Sequence, residues 1–393
     1  MRTSPSVVIV SIALLISACG ADVVAYRKAE PAPAPEAAVD ARQEIAQAVG
    51  RAAGAHLEQG GAPGVQVAVR VAGAYHAGAY GHRDNKRSES ARIDDVYRIG
   101  SVTKTFTAVV ILSLVQEGRL SLDDCIGRWI DLPNAYDVTV RRLLNHTSGI
   151  PNYSERTLPS LGTILRPRYL WRPDQLTALV RRQGLLFEPG TRHSYSNTNY
   201  VALGIIAEAV TDRGIDELYR ERIIEPAGLR DTFFLPYEQG PDPDRLVVGY
   251  ERDLLPFATQ PITPHNLSWL TYGYAAGAMV SSAPDLARFV DALFEGILLE
   301  PPALAAMTRF IAAPHPRIPA QTGYGFGLRR LEMDGTVLLG HTGTIPGFGA
   351  IVMHAPGADC TIAAVGNLSR LDSLGLMKAI LTELGRTNTW QAR

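Results

Sequence analysis

Lysine is nearly absent from this chain: only Lys28, Lys86, Lys104 and Lys378 occur among 38 basic residues. Where any cation would serve, the sequence uses arginine, so each lysine calls for a reason of its own. Cysteine is as scarce, at Cys19, Cys125 and Cys360. Cys125 and Cys360 could close one disulfide at most, and their apolar neighbours make both read as structural, unpaired core residues. The nine histidines are scattered and no His-Glu-x-x-His occurs, so no zinc site and no organic cofactor are implied. A formal net charge of −1, with no basic run interleaved with aromatics, argues against nucleic acid or an anionic membrane surface as partner.

Long apolar runs are missing too. Val7 to Ala18 is mostly apolar and follows Arg2, but it falls short of the roughly twenty residues a spanning helix needs. Residues 1–19 therefore read as a targeting signal. Ile16-Ser17-Ala18-Cys19 resembles a bacterial lipobox, and the expectation is an exported protein whose lipidated Cys19 ties it to a membrane facing the periplasm or cell surface. Plain secretion with cleavage nearby is the competing reading. Residues 20–40, with Pro31-Ala32-Pro33-Ala34-Pro35, read as an extended tether.

The remainder, residues 41–388, reads as one folded unit. Helical spacing of Ile45, Val49, Ala52 and Leu57 predicts a first helix from about Ala37 to Glu58. Val65, Val67, Val69 and Val71 alternate and lead through Gly73 into a second run at Ala74 to Tyr80, a hairpin pattern. Three strand-like runs, Thr336 to Gly340, Phe348 to His354 and Cys360 to Val365, lie near the other end, followed by an amphipathic helix from about Leu371 to Leu384. Between these flanks the chain is mainly helical, with candidates at Val138–Asn145, Asp174–Arg182, Asn199–Thr211, Ile215–Ile224 and Pro284–Phe294. The fold class is α+β: an antiparallel sheet built from both chain ends (about 41–100 and 320–388), flanked by helices, with a helical insertion over about 105–300. A site is expected in the cleft between these layers.

One lysine has a chemical reason for its place. Ser101-Val102-Thr103-Lys104 puts a hydroxyl and an amine on one helical turn. Unlike a guanidinium, an amine can lose its proton when buried, and can then take the proton of a serine three residues earlier. The stretch from Thr105 to Val115 is apolar nearly all round, as buried helices are. Lys104 in its first turn is therefore expected to be desolvated, which lowers its pKa. On its own, Ser-x-x-Lys is more often a helix cap followed by a solvated lysine.

Two further motifs lie downstream. Tyr195-Ser196-Asn197 follows the turn Phe187-Glu188-Pro189-Gly190, supplying a phenol that can carry protons and an asparagine that can hydrogen-bond a substrate amide. By itself it is a turn tyrosine and a capping asparagine. His341-Thr342-Gly343-Thr344 ends a strand, where glycine would let a substrate lie against the backbone.

Together these elements resemble the serine β-lactamase and penicillin-binding-protein superfamily, whose members carry Ser-x-x-Lys, then Tyr-x-Asn or Ser-x-Asn, then Lys-Thr-Gly or His-Thr-Gly. The resemblance spans about residues 40–385 and includes Leu144-Asn145-His146-Thr147-Ser148-Gly149-Ile150. The Tyr-x-Asn form is similar to the branch of class C β-lactamases, D-alanyl-D-alanine carboxypeptidases and esterases. It implies a β-lactamase/transpeptidase-like fold, with Ser101 as acylated nucleophile, Lys104 as its base and Tyr195 in the proton relay. It further implies an oxyanion hole from the N–H groups of Ser101 and Thr344. Asn197 would hold the acyl amide, with His341, Thr342, Gly343 and Thr344 lining the substrate. Class C β-lactamases usually have lysine where His341 stands. A neutral histidine there weakens the case for antibiotic hydrolysis. The expectation is a D-alanyl-D-alanine carboxypeptidase acting on a small peptide, with peptidoglycan stem peptide as a candidate. An esterase, a class C-like β-lactamase and a catalytically silent cell-wall peptide-binding protein are the alternatives.

Overall fold

A computed structural model of the chain describes residues 36–391, apart from 133, 256–257, 263–265 and 370. Cys19 and the leader lie outside the described residues. Helix α1 (Glu36–Glu58) begins inside the segment read as tether. It leads to strands β1 (Gly64–Val71) and β2 (Ala74–Gly81). Next come α2 (Thr103–Gln116), α3 (Asn197–Thr211) and α4 (Ala283–Phe294). Six strands follow: β3 (Ile311–Ala312), β4 (Gln321–Tyr324), β5 (Arg329–Met333), β6 (Thr336–Ile345), β7 (Phe348–Ala355) and β8 (Cys360–Gly366). Helix α5 (Ser373–Leu384) comes after them.

The eight strands form one antiparallel sheet in the order β2-β1-β8-β7-β6-β5-β4-β3. Its seam joins the chain ends, with Val65 opposite Gly366 and Val71 opposite Cys360. The sheet from both termini expected from the sequence is therefore present. What the valine alternation did not reveal is that both faces are covered. Val65, Val67, Val69, Ile351, Met353 and Ile362 point toward α1 and α5. Their neighbours Ala68, Ala350, Val352, Ala363 and Val365 point into a second, larger core with α2, α3 and α4. The alternation in β1 is thus as much one of size as of polarity. Gln66 is buried on the second face and fully bonded: Nε2 donates to the carbonyls of Arg92 (2.7 Å) and Asp95 (2.9 Å), and Oε1 accepts from Ala283 N–H (3.1 Å).

Helix α2 is buried from Thr103 to Leu114, as its continuous apolar character requires. It is pinned to α4 by Phe106 stacked on Phe289, ring centroids 3.7 Å apart. Helix α4 starts as its sequence suggests: Ser282 Oγ accepts from Asp285 N–H (3.3 Å), with Pro284 in the first turn. The middle of the chain is less purely helical than expected. It holds a three-stranded sheet of Tyr97–Arg98, Met279–Ser281 and Phe233–Phe234, and a hairpin of Gly249–Leu255 with Ala258–Ile262. Two predicted helices are also shorter, at Val140–Leu144 and Pro173–Ala178, while Ile215–Ile224 is helical throughout, α over Ile215–Tyr219 and π over Arg220–Ile224. Cys125 and Cys360 are both thiols.

Candidate active site

The site lies where α2 and α3 begin, against the end of β6. A single 3-10 turn, Gly100–Val102, precedes α2, and Gly100 sits in left-handed backbone (φ +49°). That turn projects Ser101 into a cleft of about 290 Å³, bordered by Tyr153, Asn197, Tyr272 and Thr344. Lys104 lies one turn on, with no exposed surface.

The amine has three oxygen neighbours: Asn197 Oδ1 at 2.7 Å, the Ala276 carbonyl at 2.7 Å and Ser101 Oγ at 3.1 Å. The first two can only accept. A neutral amine has two hydrogens and one lone pair, so satisfying both acceptors leaves the lone pair for the serine hydroxyl. The orientation of Asn197 is set independently. Ser154 Oγ donates to Asn152 Oδ1 (3.0 Å), so it accepts from Asn197 Nδ2 (2.8 Å), which turns the amide oxygen toward Lys104. Burial, reinforced by the cation of Arg329, holds the Lys104 pKa well below the usual lysine value. Lys104 is thus placed to receive the Ser101 proton.

Tyr195 stands over the pair, its ring centroid 5.0 Å from Lys104 Nζ. Its hydroxyl is buried, and both Ser101 and the Arg329 guanidinium interact with it. Burial raises its pKa while Arg329 and Ser101 pull the other way, and the balance keeps it above the usual phenol value. At neutral pH Tyr195 is therefore a phenol that can pass a proton on.

The Tyr195-Ser196-Asn197 segment is held by the Leu144–Ile150 motif, whose service to the site is structural. His146 Nδ1 accepts from Ser196 N–H (3.2 Å) and faces Asn199 Nδ2 (3.2 Å); its carbonyl accepts from Ser194 N–H (2.9 Å). Ser148 Oγ donates to Asn199 Oδ1 (2.8 Å), and Tyr200 donates to the Leu144 carbonyl (2.7 Å). Asn152 Oδ1 also accepts from Asn197 N–H (3.1 Å).

The end of β6 behaves differently from the expectation. Of His341, Thr342, Gly343 and Thr344, only Thr344 lines the cleft. His341 is fully buried; Nδ1 lies 2.6 Å from the Thr342 carbonyl and Nε2 3.0 Å from the Tyr324 hydroxyl. A carbonyl requires a donor, so Nδ1 carries the proton and Nε2 accepts from Tyr324. Burial, helped by the Arg329 cation, keeps this ring neutral. Gly343 makes room for the protein itself and not for a ligand. A Cβ there would stand 1.9 Å from the Ile99 carbonyl oxygen and 3.3 Å from Ser101 N. Likewise a Cβ on Gly100 would meet the N, C and O atoms of Thr344 at 3.0 Å. These contacts lay the Ser101 and Thr344 peptides side by side. Asn197, expected on the substrate, has both ends of its amide engaged with Lys104 and Ser154.

Beyond Thr344, Ile345 and Pro346 the cleft widens into an outer chamber of about 500 Å³ walled by Leu161, Ile164 and Trp269. Among the described residues no lysine or arginine lines either part. The one charged lining side chain among the described residues is Glu251, which accepts from Ser369 Oγ. The described residues hold no group of His, Cys, Asp and Glu suited to a metal, and no helix among them is long and apolar enough to cross a membrane.

Comparison with known proteins agrees with this geometry. The Beta-lactamase family model matches residues 41–384. The putative penicillin-binding protein PbpX of Bacillus subtilis is 29% identical over 247 residues, 62% of this chain and 58% of that protein. The chain spans about three fifths of the length of such curated relatives. The structure of a D-stereospecific amidohydrolase from Streptomyces sp. superposes with a TM-score of 0.74 at 33% identity, covering 85% of this chain and 97% of that one. The D-amino acid amidase of Ochrobactrum anthropi SV3, complexed with D-phenylalanine, gives 0.78 at 28% identity, covering 89% and 100%.

Proposed function

We propose, on the premise that this chain belongs to the β-lactamase family of serine hydrolases, that it cleaves amides of apolar D-amino acids through an acyl-enzyme on Ser101. The observation that carries the choice of substrate is the charge of the cleft. Penicillins, cephalosporins and D-alanyl-D-alanine termini all present a carboxylate, and sites for carboxylates use arginine or lysine. Here the lining offers no such cation among the described residues, and His341 is neutral and turned away. A substrate whose leaving group is uncharged has no need of that cation. The outer chamber, with Trp269, Leu161 and Ile164, suits an aromatic or branched side chain. The names of the amidohydrolase and the amidase point the same way.

In this reading Lys104 takes the Ser101 proton as Oγ bonds to the carbonyl carbon. The N–H groups of Ser101 and Thr344 receive the oxyanion. The proton then passes from Lys104, by way of Tyr195, to the departing amine as the C–N bond breaks. Water, deprotonated along the same path, attacks the ester, and Ser101 recovers its proton on release of the acid.

The test is a panel on one preparation, with Ser101→Ala as blank: D-phenylalanine amide, an N-acyl-D-Ala-D-Ala peptide, a p-nitrophenyl ester and a chromogenic cephalosporin. The amide is expected to give a kcat/KM at least about tenfold above the two carboxylate substrates, roughly the value of one charged contact. Preference for the peptide would restore the carboxypeptidase expected from the sequence, and turnover of the ester alone would make the protein an esterase.

Lipid anchoring is a separate part of the proposal, carried by the lipobox-like Ile16-Ser17-Ala18-Cys19. Cys19→Ala is expected to move the protein from the membrane to the soluble fraction; unchanged partitioning would refute the anchor.

A further inference from the structure

Arg329 is an arginine in an unusual place. It opens β5 opposite Gly340, the residue before His341, and is 5% exposed. Nη1 donates to the amide oxygen of Gln321, itself buried and held by a 2.5 Å bond from Nε2 to the Ala313 carbonyl. Nε has no partner, and no carboxylate among the described residues forms an ion pair with it. A buried cation ordinarily has a carboxylate beside it. What Arg329 has instead are aromatic rings: its Cζ lies 5.2 Å from the Tyr195 centroid and 5.8 Å from that of Tyr324.

We propose that Arg329 is a positioning residue, the fixed cation of this centre, which acts from beside the same Tyr195 ring to keep Lys104 unprotonated and ready to accept the serine proton. The role explains why no carboxylate accompanies it, since a counter-ion would cancel its field at Lys104. It also explains how the site works with a neutral residue at 341. The other groups facing Lys104 carry no fixed charge. They are Tyr195 and His193 before α3, Tyr200 in α3, His146 after Val140–Leu144, Tyr324 in β4 and His341 in β6. Burial holds all three histidines, and His315 beyond them, toward the neutral form. Beside the larger effect of burial, the Arg329 charge bears downward on the pKa values of Lys104, His341, His193 and Tyr195, although burial leaves that of Tyr195 raised on balance.

The inference rests on Ser101 and Lys104 as the reactive pair but not on the choice of substrate, so the test uses none. The rate at which a fluorophosphonate labels Ser101 is followed against pH in the full-length protein and its Arg329→Gln, Arg329→Lys and Gln321→Glu variants. Labelling falls in acid as Lys104 is protonated. Removing the cation raises the Lys104 pKa, so in Arg329→Gln the acid limb is expected to move up by about one pH unit. Arg329→Lys keeps the charge, and its limb stays in place. Gln321→Glu keeps Arg329 but sets a carboxylate beside it, so its limb moves up as well; if Arg329→Gln fails to fold, this variant decides alone. A slower reaction with an unmoved limb, or a limb displaced as far in Arg329→Lys as in Arg329→Gln, would overturn the proposal. Absence of labelling in the unmodified protein would sink the hydrolase reading and this one with it.

Discussion

Lys104→Arg and Lys104→Met are each expected to lower kcat by about 10³-fold, the usual contribution of a positioned general base, with far-ultraviolet circular dichroism unchanged. The two variants fail for different reasons. Methionine matches the length and volume of the lysine stem but has no nitrogen, so the Ser101 hydroxyl loses its acceptor. Arginine restores donors for Asn197 Oδ1 and the Ala276 carbonyl, both 2.7 Å from the present amine, yet has no lone pair to offer at any accessible pH. If Lys104 served only as a cation, arginine would rescue and methionine would not. If it serves as a base, neither rescues. More than about a tenth of native activity in Lys104→Arg would therefore contradict proton transfer to this residue, given the loss expected above. The native pH profile supplies the matching sign. The depressed pKa of the folded protein moves the loss of activity to the acid side of the range where an ordinary lysine titrates, as the amine gains its proton.

Three residues of the site were legible in the sequence because each departs from what the chain does elsewhere. Lys104 is a lysine in an arginine-rich protein, on a helix too apolar to be exposed. Tyr195 and Asn197 follow a turn signal and open a long helix. The sheet from the two chain ends was legible for a similar reason, since alternating valines and three apolar runs separated by Pro-Gly have few other readings. The rest of the site has no local signature. The Ala276 carbonyl is backbone, and no residue type announces it. Asn152 and Ser154 fix the orientation of Asn197 from a short 3-10 turn (Tyr153–Glu155) that carries no periodicity. Arg329 is one arginine among many, on a strand of five residues beside one of four, and only the absence of a carboxylate around it sets it apart. His341 was legible as a residue but not as an environment: its neighbour Tyr324 lies on that short strand, and the pairing turns the ring away from the cleft.

Gly343 shows most directly what a motif hides, and Gly343→Ala is the second variant for which a large effect is expected. The glycine does not occupy left-handed backbone, so alanine brings no conformational strain there. Its cost is space. The added methyl would lie 1.9 Å from the Ile99 carbonyl oxygen, 3.0 Å from the Ile99 carbonyl carbon and 3.3 Å from Ser101 N. All three are main-chain atoms, which have no rotamer to escape into, so the turn at Gly100–Val102 must move off β6. That turn carries Ser101 and its N–H, while β6 carries the N–H of Thr344. Separating the two would open the oxyanion hole proposed above without touching either donor. A lost donor of this kind costs about 10²–10³-fold in kcat, and overpacking of this kind about 1–3 kcal/mol in stability. Gly54→Ala in α1, where an added methyl meets nothing within 4 Å, is the control. It should leave turnover unchanged and raise stability by about 0.5–1 kcal/mol. Steady-state kinetics and thermal melts on the pair separate the readings. Full turnover in Gly343→Ala would mean that the nucleophile turn does not depend on its seat against β6. Lost stability with intact kcat would make that seat structural only.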